Sequence, residues 1–268
     1  MSKKDKVSLK INDLQPGDVL LSFGHGWLSD AIRYLDGGRY SHAGFFDGVK
    51  IVEAAKAGIV YHDIPEDLKL QKYIHVYRYK GDKGDHLGSA EFPVKPLIDV
   101  ATRYRDSGEK FAYQQLFLMA LLAISRKAPI PLFLKKLLRT VLDEAMGALN
   151  DVLQDNKQPV TCSELVYRIY DEAGPIQQYA LTIEGVIEMD KFKGLAKVSR
   201  APVSMAAADD EDAAEFERLS QQFAQRYFQA KSLAAAKRPN PLVVADFVSP
   251  RDLETSENLE EIGPLSIS

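Results

Sequence analysis

The chain has 268 residues, 46% of them hydrophobic and 27% charged, enough apolar side chain for one sizeable domain with elaborations. Its formal charge of −4 offers no basic surplus to neutralise phosphates, which argues against nucleic acid as a general partner. One cysteine excludes an intrachain disulfide framework, and no CxxC or Cys/His cluster suggests a zinc site.

The start, MSKKDKV, is polar and lacks an apolar signal core, so cytoplasmic residence is the default expectation, with signal-independent export left open. LQPGD, from Leu14 to Asp18, leads into a strand, and its Gly-Asp pair reads as turn geometry. His25 stands in the GHGW run that ends at Trp27, a residue that either lines a cleft or closes the core. Gly37-Gly38 reads as a turn and lacks the strand–GxGxxG–helix setting of a nucleotide site.

RYSHAGFFDGVKIVEA, from Arg39 to Ala54, reads as a β-hairpin, because Asp47-Gly48 separates β-prone runs. With Asp47 and Gly48 as the two-residue loop, Phe46 pairs with Val49 and His42 lands directly opposite Glu53. Opposed residues on one face have Cβ atoms about 5 Å apart, close enough for a carboxylate to hold an imidazole N–H. Without a nucleophile such a pair reads as a structural cross-strand contact, and the capped Cys162 turns the reading to function. Residues 72–80 alternate as a further strand, and a polar loop follows from Asp82. His62, His75 and His86 show no metal-ligand spacing and read as surface or strand residues.

Gln114 begins an apolar helix whose run from Leu116 to Ile124 is too short to span a bilayer. A second helix, from about Leu132 to Leu153, carries Leu134, Leu137, Leu138, Val141, Leu142 and Ala145 on one face. Together they suggest an αα-hairpin, within a helical insertion at about 97–155. It is either a packed cap or a lid that receives an acyl chain or touches membrane.

VTCSEL, from Val160 to Leu165, reads as a helix start with a capping box and hydrophobic staple: Thr161 at N-cap, Glu164 at N3, Val160 packing on Leu165. Cys162 then occupies the first helical position, where the positive end of the helix dipole and unpaired N–H groups favour negative charge. An inert buried thiol is the alternative, and a partner base weighs against it. Beyond the cysteine helix, which ends near Gly174-Pro175, residues 209–230 form a helix with Phe216, Leu219, Phe223 and Tyr227 on one face. Residues 241–249 read as a strand, and 256–268 as an acidic, flexible tail outside a single domain of residues 1–255.

In their order, LQPGD, AIR (Ala31 to Arg33), YSHAG (Tyr40 to Gly44), IVEA (Ile51 to Ala54) and TCSELV (Thr161 to Val166) resemble the circularly permuted NlpC-type, papain-like cysteine hydrolases. This is the YiiX/YebB-like group, related in topology to lecithin:retinol acyltransferase. Pro241 to Leu253 also looks like that group's tail. The histidine strand precedes the cysteine helix, the reverse of the ordinary papain-like order, and geometry rather than chain order defines a triad. The resemblance implies an α+β, permuted papain-like fold in which a small antiparallel sheet packs on the cysteine helix. It also implies a Cys162–His42–Glu53 triad working through an acyl-cysteine.

The Cys162 N–H is one candidate oxyanion donor, with Tyr40 and His25 as neighbours for a second. The favoured substrate is a fatty-acyl lipid, because an apolar insertion suits a chain that gains about 0.8 kcal/mol per buried methylene. A cell-wall peptide amide is the alternative, and a non-enzymatic lipid-binding module the reading from another class. No cofactor and no metal site is expected, and peripheral membrane contact would run through the insertion. Biological roles from envelope turnover to a toxin delivered to rival cells would use the same residues.

Overall fold

Val19–Gly24 (β1) and His42–Phe46 (β2) are buried along their whole length, which marks them as central strands covered on both faces. The computed structural model describes residues 8–55, 58–81, 84, 86–106, 120, 122, 132–154, 160–175, 178–183, 211–235 and 245–266. With Ile51–Ala55 (β3), Gly58–His62 (β4), Gln71–Tyr79 (β5) and Leu259–Pro264 (β6), they form one antiparallel six-stranded sheet in the order β4-β3-β2-β1-β5-β6. The fold is therefore α+β.

Two cores flank the sheet. Val19, Leu21, Phe45, Val52, Ala54, Tyr77 and Tyr79 join a large one with the helices, whereas Leu20, Phe46, Ile51, Ile74 and Val76 close a smaller one over Leu14 and Ile64. The helices are Trp27–Asp36 (α1), Ile64–Leu70 (α2), Lys95–Asp106 (α3), Leu132–Gln154 (α4), Cys162–Asp171 (α5), Glu211–Ala235 (α6) and Pro250–Glu254 (α7). Helix α1 stops at Gly37, which sits at φ 66 in the left-handed region that favours glycine. The cysteine helix α5 packs against β2 and β3 and is buried from Cys162 to Tyr170. Tyr170 stacks on Tyr79 at 5.6 Å between ring centroids and donates to the Gly17 carbonyl at 2.5 Å, joining the helix to the entrance of β1.

Three expectations need correction. The turn of the first hairpin is one residue later than the Asp-Gly pair suggests. It is closed by Asp47 N–H donating to the Lys50 carbonyl at 3.1 Å, and Phe46 pairs with Ile51 rather than Val49. The Asp47 carboxylate accepts from the Val49 and Lys50 N–H groups at 2.8 and 2.7 Å, which leaves Gly48, at φ 106, as the first central residue.

The end of the chain is no loose tail from 256. Leu259–Pro264 pairs with β5 as the sheet's edge, with Leu259 and Leu265 buried and Glu261 held by Arg39 and His75 at 2.9 and 3.1 Å. The strand expected at 241–249 is, in its described part, a 3-10 turn (Ala245–Phe247) followed by Ser249 capping α7. There Ser249 and Asp252 exchange side-chain-to-backbone hydrogen bonds in a capping box that starts α7.

Among the described elements α4 packs against α6. Leu138, Val141, Leu142, Ala145 and Leu149 are buried, as are Phe216, Leu219, Phe223 and Tyr227 on α6. The helix expected from Gln114 lies outside the described residues except for Ala120 and Leu122, both buried. No helix among the described residues is long and apolar enough to cross a membrane.

Candidate active site

Local sequence builds one half of the site as expected. Thr161 is the N-cap of α5, its hydroxyl accepting from Glu164 N–H at 3.2 Å while the Glu164 carboxylate accepts from Thr161 N–H at 3.3 Å. Val160 and Leu165 are both fully buried, as a staple requires. Cys162 is the first helical residue and is 0% exposed.

The hairpin supplies the other half through a different register. Continued from Phe45↔Val52, the pairing sets Glu53 opposite Gly44, two residues from the expected partner. A shift of two keeps every side chain on its face, so Glu53 reaches His42 diagonally, with His42 Nε2 2.6 Å from Glu53 Oε2. Gly44 makes room for this: a Cβ there would stand 2.7 Å from Ile51 Cγ2 and 3.7 Å from Glu53 Oε2.

His42 is 8% exposed and Glu53 5%. Burial pulls the His42 pKa down, but Cys162 and Glu53 outweigh it and hold the ring well above its usual 6.5. Burial pushes Glu53 up, and His42 and His62 together bring it below its usual 4.5. Nδ1 of His42, the nitrogen not on Glu53, is buried without a hydrogen bond among the described residues. Across the sheet, Ser22 is paired directly with His42, and its buried hydroxyl also lacks a partner among the described residues.

These shifts give a pH signature. The raised His42 value contributes stability fully below pH 6.5, lost as pH rises through the folded value. The lowered Glu53 value contributes fully above pH 4.5, lost as pH falls through its folded value. The stability difference between wild type and Glu53→Gln is therefore expected to be greatest between pH 4.5 and 6.5 and to shrink on either side. Urea unfolding at a series of pH values checks this, and a difference independent of pH would contradict the charged pair.

His42 contacts Glu53, and Cys162 lies near enough to act electrostatically on the His42 ring, whereas the other two expected residues are engaged or exposed elsewhere. Tyr40 is fully buried, with its hydroxyl 3.1 Å from that of Tyr77, which in turn accepts from Arg39 at 2.7 Å. Burial, with the Tyr77 contact, pushes the Tyr40 hydroxyl pKa well up. His25 is exposed in the connection between β1 and α1. Trp27 does not close the core, being 54% exposed at the start of α1. Asp18 is structural, as expected: it accepts from Arg78 at 2.7 and 2.8 Å and from Gln15 N–H at 2.8 Å.

One residue of the cluster escaped the sequence reading. His62, at the end of β4, places Nδ1 2.7 Å from Glu53 Oε1, off the line of a good hydrogen bond. The available signal was the run IVEAAKAGIVYH as a second hairpin, in which Ile51 pairs with His62, but Lys56-Ala57 is not a recognisable turn pair. His42 and His62 each contact one carboxylate oxygen of Glu53 rather than converging with it on a common point. Among the described residues, no group of three His, Cys, Asp or Glu side chains is arranged to hold a metal ion.

No family model matches the chain, and no curated protein matches it by sequence. Among solved structures it is similar to the crystal structure of metalloprotein yiiX from Escherichia coli O157:H7, DUF1105. That match has 15% identity and a TM-score of 0.43, over 94% of this chain and 96% of that one.

Proposed function

We propose that the chain is a thiol hydrolase or acyltransferase of permuted papain-like architecture that cleaves an ester or amide through an acyl-cysteine. The observation that carries this reading is the 2.6 Å His42–Glu53 contact, made to a ring that Cys162 also acts on electrostatically from the first turn of α5. His42 Nδ1 takes the Sγ proton, while Glu53 on Nε2 fixes the tautomer and supports the imidazolium. The thiolate attacks the carbonyl carbon, an S–C bond forms and the C=O electron pair moves to oxygen. Collapse expels the alcohol or amine, which takes the proton from His42. Water or another acceptor then attacks the thioester, giving its proton back through His42 and freeing the thiol.

The Cys162 N–H is one donor for the oxyanion, since a residue at N1 has no intrahelical acceptor. For the second donor we propose the Ser22 hydroxyl, opposite His42 and unpartnered among the described residues. Ser22→Ala is expected to lower kcat about tenfold or more with little change in fold, and an unchanged kcat would remove Ser22 from the mechanism.

The favoured substrate is a fatty-acyl lipid, approached past the exposed Trp27, which follows the segment in which Gly24 N–H donates to Ser41 at 3.3 Å beside His42. One observation favours a cell-wall peptide amide instead. Leu138, Val141, Leu142, Ala145 and Leu149 of α4 are buried and the helix packs against α6, so these residues are not free to take an acyl chain. Residues 107–131 of the insertion lie almost all outside the described ones. The YiiX protein is described as a metalloprotein. In this chain His42 and His62 each contact Glu53 rather than leaving their nitrogens open to an ion, which does not fit a bound metal.

Mass spectrometry of products from wild type and Cys162→Ala, incubated with a phospholipid mixture and separately with purified peptidoglycan, tests the reading. Fatty acid or lysolipid from the wild type alone supports the lipid substrate. Soluble peptide from the wild type alone replaces it with the amide. No product from either favours the non-enzymatic binding module.

A further inference from the structure

We propose that His62 is a positioning residue of this site: it stands against the second carboxylate oxygen of Glu53 and keeps that carboxylate turned toward His42. The proposal rests on the reading of Cys162, His42 and Glu53 given above, and it extends the triad by one residue on the neighbouring strand.

Three observations carry it. First, Glu53 is bracketed: Oε2 is 2.6 Å from His42 Nε2 and Oε1 is 2.7 Å from His62 Nδ1, so each oxygen faces its own imidazole. A carboxylate approached on one oxygen alone can swing about its side-chain torsions more freely than one with a ring against each oxygen. Second, the register sets the residues on one face, since Ile51 pairs with His62, Glu53 pairs with Val60, and the parity of β3 and β4 is the same. Third, burial is graded. The Glu53 side chain is 6% exposed and that of His42 10%, but that of His62 is 29% exposed. His62 is thus the most exposed member of the cluster.

The electrostatic consequence has a definite sign. Burial is the largest influence on Glu53 and favours its neutral form, while His42 and His62 oppose it. Without His62 only His42 opposes burial, so Glu53 gains a proton at a higher pH. A neutral Glu53 cannot support the His42 imidazolium.

The other charged groups around β4 are engaged elsewhere. Lys50, in the turn before β3, lies 3.3 Å from Asp63. On the α3 side, Arg105 pairs with Asp106 at 2.5 Å and its guanidinium lies 5.0 Å from the ring centroid of Tyr61. None of these contacts involves Glu53.

The test uses two variants and two readouts. His62→Gln restores an N–H donor without the charge, and His62→Phe restores neither. Relative to wild type, His62→Gln is expected to keep its rate of Cys162 alkylation by iodoacetamide at pH 8 and to lose about tenfold at pH 5. His62→Phe is expected to lose at both. In ring-labelled NMR titrations, the acid inflection reported by His42, which follows Glu53, is expected to move to higher pH in both variants.

A His62→Gln profile and acid inflection that superimpose on the wild type would overturn the proposal. Failure of the triad reading looks different: His42→Ala would then alkylate as fast as wild type at every pH. In that case the NMR inflection, which needs no catalysis, still decides whether His62 holds Glu53.

Discussion

Replacing Cys162 by alanine is expected to reduce acyl release by about 10³-fold or more, and His42→Ala to cost nearly as much, because nucleophile and base act as a unit. The double variant should be no worse than either single one. Additive losses would mean that the two side chains act separately and would sink the proposed mechanism. Glu53→Gln is expected to fall between them and wild type, at about 10²-fold or more, since an amide can present the wrong partner to Nε2 and cannot offset the imidazolium charge. The effect should appear in kcat rather than KM, because the Glu53 carboxylate sits behind the ring, 5% exposed and directed at Nε2.

The same series discriminates against the inert thiol. Cys162 is 0% exposed, so a substrate or alkylating reagent has to displace neighbouring side chains to reach Sγ. A catalytic thiol paired with His42 should still react in the folded protein, and faster than in His42→Ala. A thiol that reacts only with the unfolding transition would leave the binding-module reading standing.

The two halves of the site differ in how far they could be read from residues alone. The start of α5 depends on neighbours only three or four positions apart, so VTCSEL contains all that its geometry needs, and Thr161, Glu164, Val160 and Leu165 sit as expected. The hairpin depends on which residues turn. Asp-Gly is a sound signal for a turn, but the Asp47 carboxylate caps Val49 and Lys50, moving the loop by one residue and the pairing by two. Because side chains alternate with period two, an even error still brings His42 and Glu53 to one face, and an odd one would have separated them.

What escaped is non-local. His62 joins the cluster only through the β3–β4 pairing, and Ser22 only through β1 pairing with β2. Neither strand pair announces its register in its own residues. The edge strand Leu259–Pro264 was hidden by its acids, which read as solvation until Arg39 and His75 appear beside Glu261.

The largest expected loss of stability comes from Glu164, which is fully buried and serves two partners at once. It accepts from Thr161 N–H at 3.3 Å as the N3 member of the capping box, and from Arg168 Nε at 2.8 Å one turn later. Glu164→Ala leaves that N–H without its acceptor and takes away the close carboxylate of a guanidinium only 3% exposed, whose next one, on Glu172, lies 3.6 Å away. Breaking a buried pair from one side costs about 3–5 kcal/mol, a large share of the roughly 5–15 kcal/mol that holds a domain folded.

Urea unfolding at low temperature, where the variant is still folded, measures the loss. A cost under about 1 kcal/mol would show that the pair does not hold the helix start. Arg168→Met with Glu164→Gln should recover part of the loss, because the uncompensated charge leaves with the arginine. Thiol reactivity should follow the cap rather than the charge. The double variant, whose glutamine carbonyl can still accept from Thr161 N–H, is expected to keep more of the Cys162 alkylation rate than Glu164→Ala, which frees the first turn and with it the N–H groups that face the thiolate.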